Sequence, residues 1–98
     1  VITPETVLEY LKVPDTGGYA LISSMIEDGY DYLRDAVDDF DDIYKTNDRF
    51  SRKADAWVLR HWMPEAYDQR EGGYDGRIVM NHAARSQLTQ LQLYRKEG

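Results

Sequence analysis

Apolar residues recur at spacings of three and four along most of this 98-residue chain, the period of an amphipathic helix. Val7, Leu8 and Leu11 make the first stripe. It opens at Thr3-Pro4-Glu5, where threonine suits the N-cap, proline the first helical position and glutamate the first turn. It closes near Lys12, because Val13 precedes Pro14 and is pushed out of the α region. Asp15-Thr16-Gly17-Gly18 reads as a turn. A longer stripe of Leu21, Ile22, Met25, Ile26, Tyr30, Leu33, Val37 and Phe40 predicts a second helix over residues 19–38. Gly29 inside it marks close helix packing.

The period weakens at 38–48, which reads as an acidic loop with a short extended piece at Ile43-Tyr44-Lys45. Asn47 or Asp48 can then cap a third helix over 49–69. Its buried side holds Phe50, Ala54, Trp57, Val58, Leu59, Trp62 and Ala66. Pro64 removes a backbone donor and crowds the Arg60 carbonyl, which predicts a kink or break. Gly72-Gly73 ends the helix. After a connector at 74–79, a fourth helix over 80–94 carries a narrow stripe of Ala84, Leu88, Leu91 and Tyr94. Gln87, Gln90 and Gln92 leave much of its surface polar and uncharged, so it is expected to dock on another chain. The pattern therefore predicts one all-α domain over 1–98, a small bundle of about four helices with the second and third as a central antiparallel pair. Leu21, Ile22, Met25, Ile26, Leu33, Val37, Trp57, Val58 and Trp62 should form most of its core.

Charge changes this picture by making the two halves unlike. Residues 1–48 carry twelve acids against three bases, and residues 49–98 carry six acids against nine bases, for a net −6. Such a split suits head-to-tail contact with copies of the same chain or with a partner, and solvated faces that merely differ would give it too. The acidic balance argues against sequence-specific DNA binding. There is no cysteine, hence no disulfide or thiolate chemistry. No apolar run nears the roughly 20 residues of a membrane span, no signal peptide is visible, and cytosolic expression is the default expectation.

Candidate chemistry is sparse. Asp38-Asp39-Phe40-Asp41-Asp42 lacks the glycine and glutamate of a calcium loop. His61 and Glu65 are four apart, but no second histidine stands at the required spacing. The serines occupy no nucleophile elbow, and Gly17-Gly18 lacks the lysine of a phosphate loop. No catalytic residue, metal or cofactor is expected. Arg77, Arg85, Arg95 and Lys96 with Tyr94 make a mildly basic C-terminal end. Trp57 and Trp62 suit a core, or an interface anchor.

In order along the chain, these features resemble the head–tail connector (adaptor) proteins of long-tailed bacteriophages, a family also described as phage DNA-packaging proteins. Residues 2–13, Ile-Thr-Pro-Glu-Thr-Val-Leu-Glu-Tyr-Leu-Lys-Val, resemble the family's opening helix. Ala20-Leu21-Ile22-Ser23-Ser24-Met25-Ile26, followed by Tyr30-Asp31-Tyr32-Leu33, resembles its long second helix. His61-Trp62 and Tyr67-Asp68-Gln69-Arg70-Glu71 resemble two halves of the string that ends its third, with Met63-Pro64-Glu65-Ala66 as a four-residue insertion between them. Leu88-Thr89-Gln90-Leu91-Gln92 echoes its leucine-rich ending, with Gln92 where arginine is usual. Pro64 and the acidic 38–48 stretch depart from the family pattern.

The resemblance implies a structural virion protein at the neck, made in the host bacterial cytoplasm. Members form homo-oligomeric rings of about twelve or thirteen subunits under the portal, complete the head after packaging, and join it to stopper or tail. It implies portal contact through the 85–98 segment, with Arg85, Gln92, Tyr94, Arg95 and Lys96 as contact residues. Asp31, Asp35 and Asp38 are then expected to face a channel through which DNA passes without specific binding. The alternative is a small helical DNA-binding regulator or packaging subunit, which would need a Lys/Arg-rich recognition helix. A small carboxylate enzyme is a further alternative, which would need a cleft holding two acids.

Overall fold

Every regular element is helical among the described residues, which are 1–13, 19–70 and 72–96 of the computed structural model. The expected turn at Asp15–Gly18, and Glu71, lie outside them. The elements are α1 (Pro4–Leu11), α2 (Tyr19–Ala36), α3 (Phe40–Thr46), α4 (Asp48–Trp57), a π-helical turn (Val58–Trp62), α5 (Met63–Asp68) and α6 (His82–Gln92). No described helix is long and apolar enough to cross a membrane.

The helix starts follow from side chains that satisfy free backbone donors. Thr3 accepts a hydrogen bond from the Thr6 N–H at 3.3 Å. Asn47 accepts from Phe50 at 3.0 Å, and Asn81 accepts from Ala84 at 2.8 Å. Asn81 therefore starts the last helix at His82, two residues later than the apolar pattern suggests.

The acidic 38–48 stretch is not a loop, and Ile43–Lys45 is not extended. Val37 still donates to the Leu33 carbonyl at 2.8 Å, but Asp39 adopts a left-handed conformation (φ 58°) that ends one helix and restarts another. Phe40 and Ile43, three apart, are buried against the core, with Tyr44 half-buried beside them. Asp41 and Asp42 fall in the first turn of α3 and Lys45 in its last, each favourable to the helix dipole.

The helix does not end at Pro64, but its regular α ladder is interrupted just before it. The chain widens there: the Met63 N–H donates to the Val58 carbonyl five residues back. Pro64 then sits in the first turn of α5, where a missing N–H is tolerated. The wider turn explains how both tryptophans are buried. At 3.6 residues per turn, positions five apart point about 140° away from each other. An i→i+5 turn brings them back to one side, and the Trp57 and Trp62 ring centroids lie 6.1 Å apart. Tyr32 of α2 packs against both, at 6.0 and 5.5 Å.

The core contains Ile22, Met25, Ile26, Tyr30, Leu33, Val37, Phe50, Ala54, Trp57, Val58, Trp62, Met63 and Ala66, with Val7 from α1 and Leu88 and Leu91 from α6. Leu21 is the one expected core residue that is not there; it is 44% exposed. It stands one position, about 100° around the helix, from the Ile22–Met25–Ile26 stripe that faces inward. Gly29 provides the close approach of α2 to the π-helical turn. A Cβ on it would stand 2.9 Å from Trp62 Cδ1 and 3.1 Å from Val58 Cγ1. The Trp62 indole N–H donates to the Met25 carbonyl at 3.0 Å. The stripe of α6 does not wait for another chain. It packs on α4 and the π-helical turn, with the Trp57 indole N–H donating to the Ala84 carbonyl at 2.9 Å.

Asp55 holds the lower part of this assembly together. Its Oδ1 accepts from Tyr30 at 2.6 Å and from Tyr44 at 2.8 Å. Tyr30 in turn accepts from the Ile2 N–H at 3.1 Å. Burial, and then the hydrogen bond to Asp55, push the Tyr44 phenol up to about 12 and that of Tyr30 higher still. Both phenols thus hold their protons more tightly folded than unfolded. The unfolded chain loses them first as pH passes 10, so stability should fall between pH 10 and about 12. Thermal melts followed by circular dichroism across that range should show the fall, and Tyr44→Phe should make it shallower. An unchanged slope in the variant would separate Tyr44 from the effect.

Candidate interaction surfaces

The residues nominated from sequence fall into three places. Asp31, Asp35 and Asp38 are all exposed at the end of α2 and its junction with α3. Arg34 clamps this corner, donating to Asp31 at 2.7 Å and to Asp41 at 3.0 Å. These bonds, that to Asp41 first, raise the Arg34 pKa further above its ordinary value. Asp31 is therefore compensated, while Asp35 and Asp38 have no ion pair among the described residues.

The C-terminal residues are moored to the same corner. Gln92 Nε2 donates to the Ala36 carbonyl at 2.9 Å, and Lys96 Nζ lies 3.2 Å from Asp42. Arg95 donates to the carbonyls of Gln92 and Tyr94 at 2.7 and 2.9 Å. The Tyr94 ring meets Phe50 edge-on at 5.1 Å. Four of the five nominated contact residues thus cluster, each engaged with its own chain.

Arg85 does not join them. It stands exposed at the other end of α6, on the rim of a cleft of ≈ 550 Å³ lined by Tyr32, Ile78, Val79, Met80, Leu88 and Thr89. Val79 is 78% exposed there.

A second cleft, of ≈ 220 Å³, lies between α4, the π-helical turn and α6. Trp57 and Leu91 line its apolar side, and Lys53, Arg60, His61 and Gln87 its polar side. Burial, and then the charge of Arg60, lower the His61 pKa, so the imidazole is neutral at pH 7. The positive charge of the cleft comes from Lys53 and Arg60, neither of which has an ion pair among the described residues. Lys53 lies 5.8 Å from the centre of the Tyr94 ring. Sequence reading missed this cleft. Its signal is the run Lys53, Arg60, His61 beside Trp57, but only the packing of α6 on that run closes it.

Neither cleft is lined by a carboxylate. No group of three or more histidine or acidic side chains that could hold a metal occurs among the described residues. The arrangement can offer charge, hydrogen-bond donors and apolar surface to a partner. Comparison with protein-family models, curated proteins and solved structures gives no match to this chain. What the fold and surfaces define is a small all-helical protein that exposes acids and cations without ion pairs among the described residues.

Proposed function

We propose that this protein is a structural virion component, a head–tail connector subunit that assembles into a ring of about twelve copies beneath a phage portal. In this reading it completes the head after packaging, joins the portal to a stopper or tail-completion protein, and lets DNA pass. It works in the virion neck without catalysis or cofactor. The observation that carries the reading is uncompensated charge of both signs at separate places on one small helical body. Glu5 and Glu9 offer one sign on the outer face of α1; Lys53 and Arg60 offer the other at the cleft beside α6. A closed ring of one chain needs two unlike faces per subunit.

Contacts that run in opposite order support the central antiparallel pair. Tyr30 of α2 meets Asp55, and Met25 meets Trp62. The absence of carboxylates from both clefts supports a binding role over acid–base chemistry. Asp35 and Asp38 are the acids that would repel DNA in the channel. The Gln92–Lys96 cluster and Arg85 would offer the portal two contact points at opposite ends of α6. Negative-stain imaging of the protein mixed with its candidate portal tests the reading. Stoichiometric rings capping portals are expected, and monomers that ignore portals would overturn it.

A further inference from the structure

Cations without a carboxylate partner, gathered at one cleft of a protein with net charge −6, call for an acidic ligand. The cleft between α4, the π-helical turn and α6 pairs two such cations, Lys53 and Arg60, with a narrow apolar floor where the buried Trp57 and Leu91 come to the surface by only 2% each. Its occupant should carry carboxylates next to an apolar or aromatic group. The outer face of α1 has that composition: Glu5, Thr6, Glu9 and Tyr10 are all exposed, Tyr10 by 46%. Glu5 and Glu9, four apart, share one helical face, and Thr6 and Tyr10 lie beside them. Neither glutamate has an ion pair among the described residues.

The two surfaces rest on different elements. The α1 helix packs on α2, whereas α6 packs on α4 and the π-helical turn. That is the condition for a head-to-tail contact that propagates from copy to copy. We propose that the cleft of each subunit receives the α1 face of a second copy, with Glu5 and Glu9 facing Lys53 and Arg60 and with Tyr10 seated at the mouth of the cleft. The proposal rests on the ring reading and names the contact that would build the ring. Neutral His61 and Gln87 add hydrogen-bonding groups to the rim without adding charge.

Charge reversal tests the contact, because Glu9 and Arg60 are both exposed and their exchange should leave the fold intact. Arg60→Glu and Glu9→Arg should each weaken self-association in analytical ultracentrifugation on the order of tenfold or more, since each sets like charges face to face. An equimolar mixture of the two variants should recover assembly, because every cleft then meets an α1 face of opposite sign. Disulfide trapping gives a second readout on a chain with no cysteine of its own. Glu9→Cys combined with Arg60→Cys should yield a ladder of oxidised oligomers, where each single variant stops at dimers.

Wild-type rings with both reversals harmless and no ladder would overturn this contact and leave the ring reading standing. A wild-type chain that stays monomeric at every concentration and forms no ladder would overturn both. Loss of a salt-sensitive shift of duplex DNA in Arg60→Glu, with self-association intact, would assign the cleft to phosphate and likewise overturn the proposal.

Discussion

Trp62→Ala is expected to lower the unfolding free energy by about 3–5 kcal/mol, the usual cost of removing a large buried aromatic. Trp62 is fully buried, lies against Tyr32 and Trp57, and fills the space that Gly29 leaves open on α2. Its indole N–H also reaches the Met25 carbonyl. A chain of this size typically has only about 5–15 kcal/mol of stability in total. The variant should therefore unfold at a far lower urea concentration, and part of it should be unfolded at physiological temperature. Trp62→Phe keeps most of the ring but not the hydrogen bond, and its cost should be clearly smaller. Urea titrations followed by circular dichroism would check both. Equal midpoints for Trp62→Ala and wild type would show that the indole is not the centre of the core.

Gly29→Ala should be destabilising even though alanine is the better helix former by about 1 kcal/mol. The new Cβ would stand 2.9 Å from Trp62 Cδ1 and 3.0 Å from Cγ, so one of them must move. The obstacle is a rigid ring held in place by a hydrogen bond and by two aromatic neighbours. Overpacking of this kind costs about 1–3 kcal/mol, which outweighs the gain in propensity. The diagnostic is the pair of substitutions together. In a Trp62→Leu background the two closest contacts are gone and only Val58 Cγ1 at 3.1 Å remains, so Gly29→Ala should cost clearly less. A thermodynamic cycle of the four proteins should therefore show a coupling of more than about 1 kcal/mol. Additive effects would mean that α2 and the π-helical turn are not in tight contact at Gly29.

Much of the architecture was legible in the residues. The all-helical class followed from the apolar period, and the ends of α1 followed from Thr3-Pro4 and from Val13-Pro14. Gly29 announced close packing because nothing else justifies glycine in the middle of a long helix. Two elements were misread for a common reason: the local rule was right and its consequence was not. The 38–48 stretch is polar enough for a loop, but Phe40, Ile43 and Tyr44 inside it keep helical spacing, and one left-handed aspartate is enough to restart the helix. Pro64 does forbid a regular bond to Arg60, yet the chain met the constraint by widening the turn before it. Leu21 keeps the spacing of four to Met25, yet it lies at the outer edge of the α2 stripe and is exposed.

The interaction surfaces were less legible, because they depend on where helices meet. The nominated C-terminal residues were real neighbours, except Arg85, but their engagement with Ala36 and Asp42 joins positions more than fifty residues apart. The Lys53–Arg60 cleft likewise exists only once α6 is laid beside α4.

The π-helical turn has one more consequence. Before it, the helical rod packs mainly on α3 and α6, with Asp55 and Trp57 reaching Tyr30 and Tyr32 of α2; after it, on α2. An ordinary way to change neighbours is to end a helix and spend a loop on the change of direction. Here one surplus residue rotates the second half of the rod without ending the helix. It acts on the packing as a frameshift acts on a message: removing a single residue from 59–61 would take away the widening that accommodates Pro64 and turn Met63 and Ala66 about 100° out of the core. The number of residues in this rod is thus as constrained as their identity.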